Sequence, residues 1–220
     1  MEDYLKNVMA MEQVPLHIRE TVCEEMRHGI EVSNLAVILA GELEESDAFC
    51  ADIADAGILH DIGKLKLTKY LYAEDGLIVE QMKYVRQHSV QSYEIISKAG
   101  FSREIALGIL HHHENYDGSG YPNNLRGDKI PWMARILRVC DVFAALTADR
   151  SYRNAFDPKS ALEIMIDEVA DYDMQVFLAF QRVIHRKVFK IGLEQIKAVQ
   201  NERQLDMLSL FESELRHWGE

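Results

Sequence analysis

Two short motifs combine histidine with carboxylate side chains, which are residue types that bind divalent metal ions. The first motif is HDIGK at residues 60–64, and the second is HHENYDGSGYP at residues 112–122. An adjacent His-Asp pair suits a two-metal site, because the imidazole of His60 can bind one ion while the two oxygens of Asp61 bridge to a second ion. We therefore interpret the motifs as parts of one metal centre.

Hydrophobic residues surround the candidate ligands. His60 and Asp61 end an apolar helical segment that begins at residue 50, and Asp141 lies within another at residues 132–148. Burying such polar or charged groups costs free energy unless they are ligated or hydrogen-bonded. Arg135 or Arg138 is an alternative partner for Asp141. Several His/Asp elements that are separated along the chain nevertheless favour a metal site over unrelated buried side chains.

The candidate ligands are imidazole and carboxylate groups without thiolate. This set disfavours structural zinc and favours iron, manganese or another first-row ion, although it does not separate iron, manganese and zinc. Two such ions about 3.5–4 Å apart clamp an in-line phosphoryl displacement and lower the pKa of a bridging water. The sequence therefore predicts metal-dependent chemistry at a phosphate group.

Composition and charge exclude several classes of protein. The 36 acidic and 24 basic residues give a net charge of −12, which disfavours binding to the phosphate backbone of DNA or RNA. A small anionic ligand stays compatible with this charge, because divalent ions supply local positive charge.

The first twenty residues lack the apolar core of a signal peptide, and no segment approaches the roughly 20 apolar residues of a membrane span. Three cysteines without CxxC spacing disfavour a disulfide framework, and we expect a cytoplasmic protein.

The hydrophobic pattern predicts an all-α fold, because long apolar segments are interrupted by polar residues at helical spacing. No repeat or linker divides the chain, so we expect a single-domain helical bundle. Its predicted parts are a helical lead-in at residues 1–22, a catalytic domain at 23–185 and a C-terminal helical extension at 186–220. A short hairpin at residues 66–78 is the only sheet that this prediction allows.

The C-terminal extension carries a hydrophobic stripe at three- and four-residue steps, which is typical of an amphipathic helix. Its members are Leu205, Leu208, Phe211, Leu215 and Trp218. The stripe either folds back on its own domain, which we favour, or serves a homodimer or a separate signalling partner.

HDIGK, His88, HHENYDGSGYP and the segment RILRVCDVFAALTADRSYR at residues 135–153 together resemble the HD-GYP family of cyclic-di-GMP phosphodiesterases within the HD superfamily. The resemblance covers about residues 24–180, and the GYP-containing loop separates this family from other HD hydrolases. It implies a helical bundle with two or three metal ions that hydrolyses the 3′,5′-phosphodiester bonds of a cyclic dinucleotide.

The resemblance assigns metal ligands residue by residue. It makes Asp61 the bridging ligand and places the other ligands at His28, His60, His88, His112, His113 and Asp141. Glu24 lies four residues before His28 and on the same helical face. A glutamate at this place accompanies a third metal in the family, although Glu25 competes for that role and a solvated side chain is the simpler alternative. One departure is Ser92, where the family usually has glycine, and we expect this small replacement to leave the ligands intact.

The resemblance also predicts substrate contacts. Lys64 follows Asp61 at helical spacing and is expected to reach a substrate phosphate as a positive charge, so Asp61 and Lys64 are the candidate catalytic residues. The other predicted substrate-binding residues lie in the signature loop and after the last ligand, at Asp117, Gly118, Gly120, Tyr121, Pro122, Arg150, Tyr152 and Arg153.

The predicted reaction opens cyclic-di-GMP to the linear dinucleotide pGpG, and GMP is a further possible product. Two alternatives stay open at this point. One is a phosphodiesterase for another cyclic dinucleotide, such as 3′,3′-cyclic GMP-AMP. The other is a non-catalytic module that senses the nucleotide and relays the signal to a partner.

Overall fold

The structure is a computed structural model, and it describes residues 2–71, 85–149, 154–186 and 202–216. These residues form α-helices and two short 3-10 turns, with no strand among them, so the all-α prediction is confirmed. The helices are α1 (Glu2–Met9), α2 (Leu16–Glu42), α3 (Asp47–Leu59), α4 (Lys64–Leu71), α5 (His88–Lys98), α6 (Arg103–Leu110), α7 (Trp132–Thr147), α8 (Pro158–Asp167), α9 (Met174–His185) and α10 (Glu202–Arg216).

Helix α2 forms the centre of the bundle. It packs most extensively against α3 and also contacts α7 and α9, while α6 packs against α3, α5 and α7. The core between these helices is aliphatic and aromatic, and Phe143 packs edge-to-face on Phe180 with ring centroids 5.0 Å apart. The ends of α3 and α6 are therefore held beside the middle of α2 and α7.

Side-chain caps fix where several helices begin. Ser46 and Ser102 each accept a backbone N–H three residues on, at the first turns of α3 and α6. Asp157 accepts the N–H groups of Lys159 and Ser160 at the start of α8, where Pro158 takes the first helical position. Such caps satisfy donors that have no partner within the helix.

The hairpin expected at residues 66–78 is wrong in its first part, because residues 66–71 belong to α4. The alternating sequence KLKL fits a strand as well as a helix. Here a tight turn after α3 decides the outcome, since the N–H of Lys64 donates to the carbonyl of Asp61 at 2.9 Å and that of Leu65 donates to Ile62 at 3.1 Å. Residues 72–78 lie outside the described residues.

Helix α10 packs on α1, α2 and α3. Leu208, Phe211 and Leu215 are fully buried there, and Asn7 donates to Glu212 at 3.2 Å. This part of the hydrophobic stripe therefore folds back on its own domain. The side chain of Leu205 and the whole of Trp218 lie outside the described part of the chain.

Of the two predicted domain limits, one falls inside a helix and the other at the end of a helix. Helix α2 runs without a break through the limit at residues 22 and 23, whereas α9 ends at His185, where the predicted catalytic domain ends. Among the described helices, none is both long enough and apolar enough to span a membrane.

Candidate metal centre

Five separate parts of the chain bring the candidate ligands together. His28 lies in α2 and Asp141 in α7, His60 and Asp61 follow the end of α3, and His88 begins α5. The adjacent pair at residues 112–113 follows the end of α6. The bundle thus assembles the ligand set that the sequence predicts, apart from Glu24.

The ligating atoms form two groups, within each of which all atoms lie within 4.8 Å of one another. One group is Asp61, His88, His112 and His113, and the other is His28, His60 and Asp141. Asp61 lies between them, since its Oδ1 is 3.0 Å from His88 Nε2 and its Oδ2 is 3.2 Å from His60 Nε2. One oxygen of Asp61 therefore faces each group, which is the arrangement that a bridging ligand requires.

Unpaired buried atoms show that the site fits metal ions. His60 Nε2 and Asp61 Oδ1 are buried and have no hydrogen-bond partner within the described residues. Leaving such groups unsatisfied costs about 1–3 kcal/mol each. Metal ions would satisfy both atoms, and imidazole with carboxylate is a donor set that first-row divalent ions accept.

Backbone carbonyls orient three of the histidines. In each case Nδ1–H donates to the carbonyl three residues earlier, which leaves Nε2 facing the centre. The pairs are His60 with Gly57 at 2.8 Å, His112 with Ile109 at 2.6 Å, and His88 with Val85. Such hydrogen bonds fix the tautomer that binds metal and make the ligand nitrogen more basic.

Asp141 pairs with histidine and not with arginine. His28 Nε2 lies 2.9 Å from Asp141 Oδ1. Arg135 pairs instead with Asp128 and Asp173, and Arg138 contacts Asn115 and Asp171. The alternative of an arginine partner for Asp141 is therefore wrong.

The charges within the centre shift pKa values in opposite directions. Burial raises the pKa of the Asp61 carboxyl, but His60 and Lys64 outweigh burial and hold that pKa well below its usual range. Burial lowers the pKa of His60, but Asp61 and Asp141 outweigh it and raise that pKa to about 10. Burial together with the positive charge of His60 and His88 lowers the pKa of His112 to about 3. His112 is thus ready to bind metal at neutral pH, whereas His60 must first release a proton.

Lys64 contacts the Asp61 carboxylate directly. Its Nζ donates to Asp61 Oδ2 at 2.6 Å and to Glu25 Oε2 at 3.0 Å. Glu25 is buried, whereas Glu24 is exposed and belongs to neither ligand group. Glu24 and His28 both line a pocket of about 360 Å³ beside the centre. A third ion at Glu24 stays a prediction, as does the contact of Lys64 with a phosphate.

Glu114 organises the signature loop. This carboxylate is buried, and it accepts the backbone N–H of Asn123 at 2.7 Å and that of Leu125 at 2.9 Å. Gly120 allows the loop to cross its own start, because a Cβ there would lie 2.2 Å from the backbone nitrogen of Asn115. The loop is therefore closed over the segment that follows the histidine pair.

This closure brings Tyr121 to the metal centre. Its N–H donates to the carbonyl of His113 at 3.1 Å, and its ring stacks on the His113 ring with centroids 4.7 Å apart. The peptide bond to Pro122 is cis, and the guanidinium of Arg86 lies 5.3 Å from the centroid of the Tyr121 ring. The structure thus places the tyrosine of the loop beside His113, a predicted metal ligand.

Other predicted substrate-binding residues lie farther out or are not described. Asp117 is exposed and caps a turn, since its Oδ1 accepts the N–H of Ser119 at 2.8 Å, and Gly118 follows it with a positive φ of 90°. Their contact with substrate stays a prediction. The remaining predicted residues, Arg150, Tyr152 and Arg153, lie outside the described residues.

Sequence reasoning did not anticipate the contact of Glu25 with Lys64, the position of Arg86 over the Tyr121 ring, or the backbone contacts of Glu114 and Ser92. Ser92 Oγ accepts the N–H of Gly63 at 2.9 Å, two residues after Asp61. The hydroxyl at this departure from the family pattern therefore holds the backbone of the first motif. Glu114 is part of the second motif and was visible as an acidic residue, but its backbone partners lie 9 and 11 residues on and depend on the loop path.

A family model described as an HD domain matches residues 4–176. The chain belongs to the HD domain family. Phosphohydrolases of this family are metal-dependent, which agrees with the two groups of His and Asp ligands.

Curated relatives extend the likeness. A cyclic di-GMP phosphodiesterase of Pseudomonas aeruginosa is 32% identical over 159 residues, which are 71% of this chain and 38% of that protein. A 3′3′-cGAMP-specific phosphodiesterase of Vibrio cholerae is 32% identical over 160 residues, covering 72% of this chain and 35% of that protein. The chain thus spans well under half the length of these relatives. The resemblance to HD-GYP phosphodiesterases is confirmed.

Two solved structures share the fold. A cyclic GMP-AMP phosphodiesterase of Vibrio cholerae gives a TM-score of 0.63 at 16% identity, covering 96% of this chain and 58% of that one. An HD-GYP-type protein of Bdellovibrio bacteriovorus gives a TM-score of 0.62 at 21% identity, covering 74% of this chain and 53% of that one.

Proposed function

We propose that this protein is a metal-dependent phosphodiesterase that hydrolyses cyclic-di-GMP to pGpG, and that GMP is formed where pGpG is cleaved again. The observation that carries the proposal is the position of Asp61, whose two oxygens face two separate groups of buried ligands. One group holds four His or Asp side chains and the other holds three, which favours an enzyme over a non-catalytic sensor.

The two groups are the proposed sites of two divalent ions, with iron or manganese as the metal and a third ion at Glu24 as an extension. Bound ions would supply Lewis-acid activation of the phosphate and of the attacking water. Asp61 would hold the two ion sites at a fixed distance from each other. Lys64 adds positive charge beside Asp61, where it stabilises the negative charge that develops on the phosphate in the transition state.

The signature loop supplies the proposed contacts with the rest of the nucleotide. Tyr121 is held against His113 by its backbone and by its ring, and this supports a role for its side chain beside a phosphate bound at the centre. Arg150, Tyr152 and Arg153 are proposed as further contacts, because arginine pairs with phosphate through two parallel hydrogen bonds.

A different cyclic dinucleotide is the second candidate substrate. Relatives named as cyclic di-GMP phosphodiesterases and as 3′3′-cGAMP-specific phosphodiesterases are equally similar to this chain, at 32% identity. Both substrates have 3′,5′-phosphodiester bonds, so the metal centre itself does not separate them. We place either activity in the cytoplasm, with no role for a nucleic-acid polymer.

The test is anaerobic purification with metal analysis, followed by incubation with cyclic-di-GMP and, separately, with 3′,3′-cyclic GMP-AMP. Chromatography of the products is expected to show pGpG from cyclic-di-GMP at the higher rate. Faster cleavage of the mixed dinucleotide would favour the second substrate. Binding of either nucleotide without cleavage, by protein that carries metal, would contradict the enzyme and favour a sensor.

A further inference from the structure

Glu25 is a buried carboxylate that neither ligand group uses. It lies on α2, three residues before His28, and only 9% of its surface is exposed. Its Oε2 lies 3.0 Å from Lys64 Nζ, although the two residues are 39 positions apart in the chain. An unpaired carboxylate would be unfavourable at this depth, so Glu25 depends on Lys64 for its charge partner.

Lys64 in turn has two carboxylate partners at one end of its side chain. Its Nζ lies 2.6 Å from Asp61 Oδ2 and 3.0 Å from Glu25 Oε2, and 24% of the lysine side chain is exposed. An ammonium group has three N–H donors, so these two contacts leave one donor. Asp61 alone would leave the remaining donors free to rotate on a flexible four-carbon stem. The second acceptor, which comes from a different helix, fixes their direction.

We propose that Glu25 is a positioning residue that orients Lys64, so that the third N–H of the ammonium group points to a phosphate bound at the metal centre. This inference rests on the proposed function, in which Lys64 stabilises charge on the phosphate. Glu25 would then be a functional residue outside the ligand set. This role would explain why a buried acidic side chain lies next to the centre without joining either ligand group. The competing possibility is that Glu25 is itself a metal ligand.

The experiment is a double-mutant cycle with Glu25→Gln, Lys64→Met and the combined variant. Glutamine keeps the size of Glu25 and removes its charge. Glu20→Gln is the matched control, because Glu20 is exposed on the same helix. Each folded, anaerobically prepared protein is assayed for metal content, for kcat and KM with cyclic-di-GMP, and for the Kd of inorganic phosphate by calorimetry.

Glu25→Gln is expected to keep the full metal content and to lower kcat about tenfold, because a small misplacement of a catalytic group slows the chemical step. Lys64→Met is expected to lower kcat about 100-fold. The combined variant should be no more than about twofold slower than Lys64→Met, because without the lysine there is nothing left to position. The Kd of phosphate should rise in both single variants, and the combined variant should have nearly the same Kd as Lys64→Met. Glu20→Gln should match the wild type.

Three results would overturn the inference. Loss of metal in Glu25→Gln would make Glu25 a ligand, while losses that add in the combined variant would mean that Glu25 acts independently of Lys64. Unchanged kcat and Kd in both Glu25→Gln and Glu25→Asp would leave Glu25 with no role at the site, because the glutamine oxygen can still accept from Lys64 whereas the shorter aspartate cannot reach it. If Glu25→Gln folds poorly, Glu25→Asp replaces it and is expected to lower kcat at full metal content, because its shorter side chain does not reach Lys64.

Failure of the proposed function would look different. Metal-loaded wild type that does not cleave cyclic-di-GMP would contradict the proposed phosphodiesterase activity. The double-mutant cycle measured on the Kd of phosphate would still decide whether Glu25 positions Lys64.

Discussion

Replacing Glu114 by glutamine tests how the signature loop is held. In the wild type, one buried carboxylate accepts two backbone N–H groups, from Asn123 at 2.7 Å and from Leu125 at 2.9 Å. Glutamine has one oxygen and one NH2 group, so one N–H keeps a weaker acceptor and the other faces a donor. A hydrogen bond to a charged group contributes about 1.5–3 kcal/mol, and an unsatisfied buried donor costs about 1–3 kcal/mol. We therefore expect a loss of about 3 kcal/mol in the free energy of unfolding.

The assay is denaturant and thermal unfolding of the metal-free protein. For a chain of 220 residues, a loss of this size lowers the Tm by about 6–12 °C. Asp117→Asn is the control for stability, because asparagine in the exposed turn can still accept the N–H of Ser119. A loss below about 0.5 kcal/mol in Glu114→Gln, equal to that of the control, would refute the reasoning, since this is the usual range for surface substitutions.

Three further predictions concern the metal centre. Asp61→Asn removes the charge that both ligand groups share, so the purified protein should bind at least one ion fewer by elemental analysis; full stoichiometry would contradict the bridge. In Gly63→Ala, the added Cβ would lie 2.2 Å from the carbonyl oxygen of His88, so we expect at least about 2 kcal/mol of destabilisation in denaturant unfolding, and near-wild-type stability would count against this packing. Metal addition at pH 8 should release at least one proton, because the pKa of His60 is raised to about 10 while His112, with a pKa lowered to about 3, is already neutral. Calorimetry in buffers of different ionisation enthalpy measures this release, and no release at pH 8 would contradict the charge assignment.

The candidate metal ligands that the structure brings together could be picked out from the sequence, because their chemical types and their adjacency carry the information. An apolar helix precedes each of the two adjacent pairs, His60-Asp61 and His112-His113. A polar pair at the end of such a helix is costly to bury unless it is ligated or hydrogen-bonded. The all-α fold follows from hydrophobic spacing in the same way.

The choice between Glu24 and Glu25 shows where sequence reasoning ends. Both residues lie within one helical turn of His28, and helical spacing brings either of them near the same face. Which one is buried depends on which face of α2 packs into the bundle, and the buried one, Glu25, contacts Lys64, which is far away in the chain. The mistaken hairpin has a similar cause. The sequence KLKL fits the spacing of a strand as well as that of a helix, and the preceding turn selects the helix.

Anomalous diffraction from crystals of the anaerobically prepared protein, recorded at the absorption edge of the bound metal, tests the two-metal centre most directly. We predict two peaks about 3.5–4 Å apart. One should lie beside Asp61 Oδ1 and the other beside Asp61 Oδ2, each within its own ligand group. Peaks away from Asp61, or no peak in protein that cleaves the substrate, would contradict the two-metal centre.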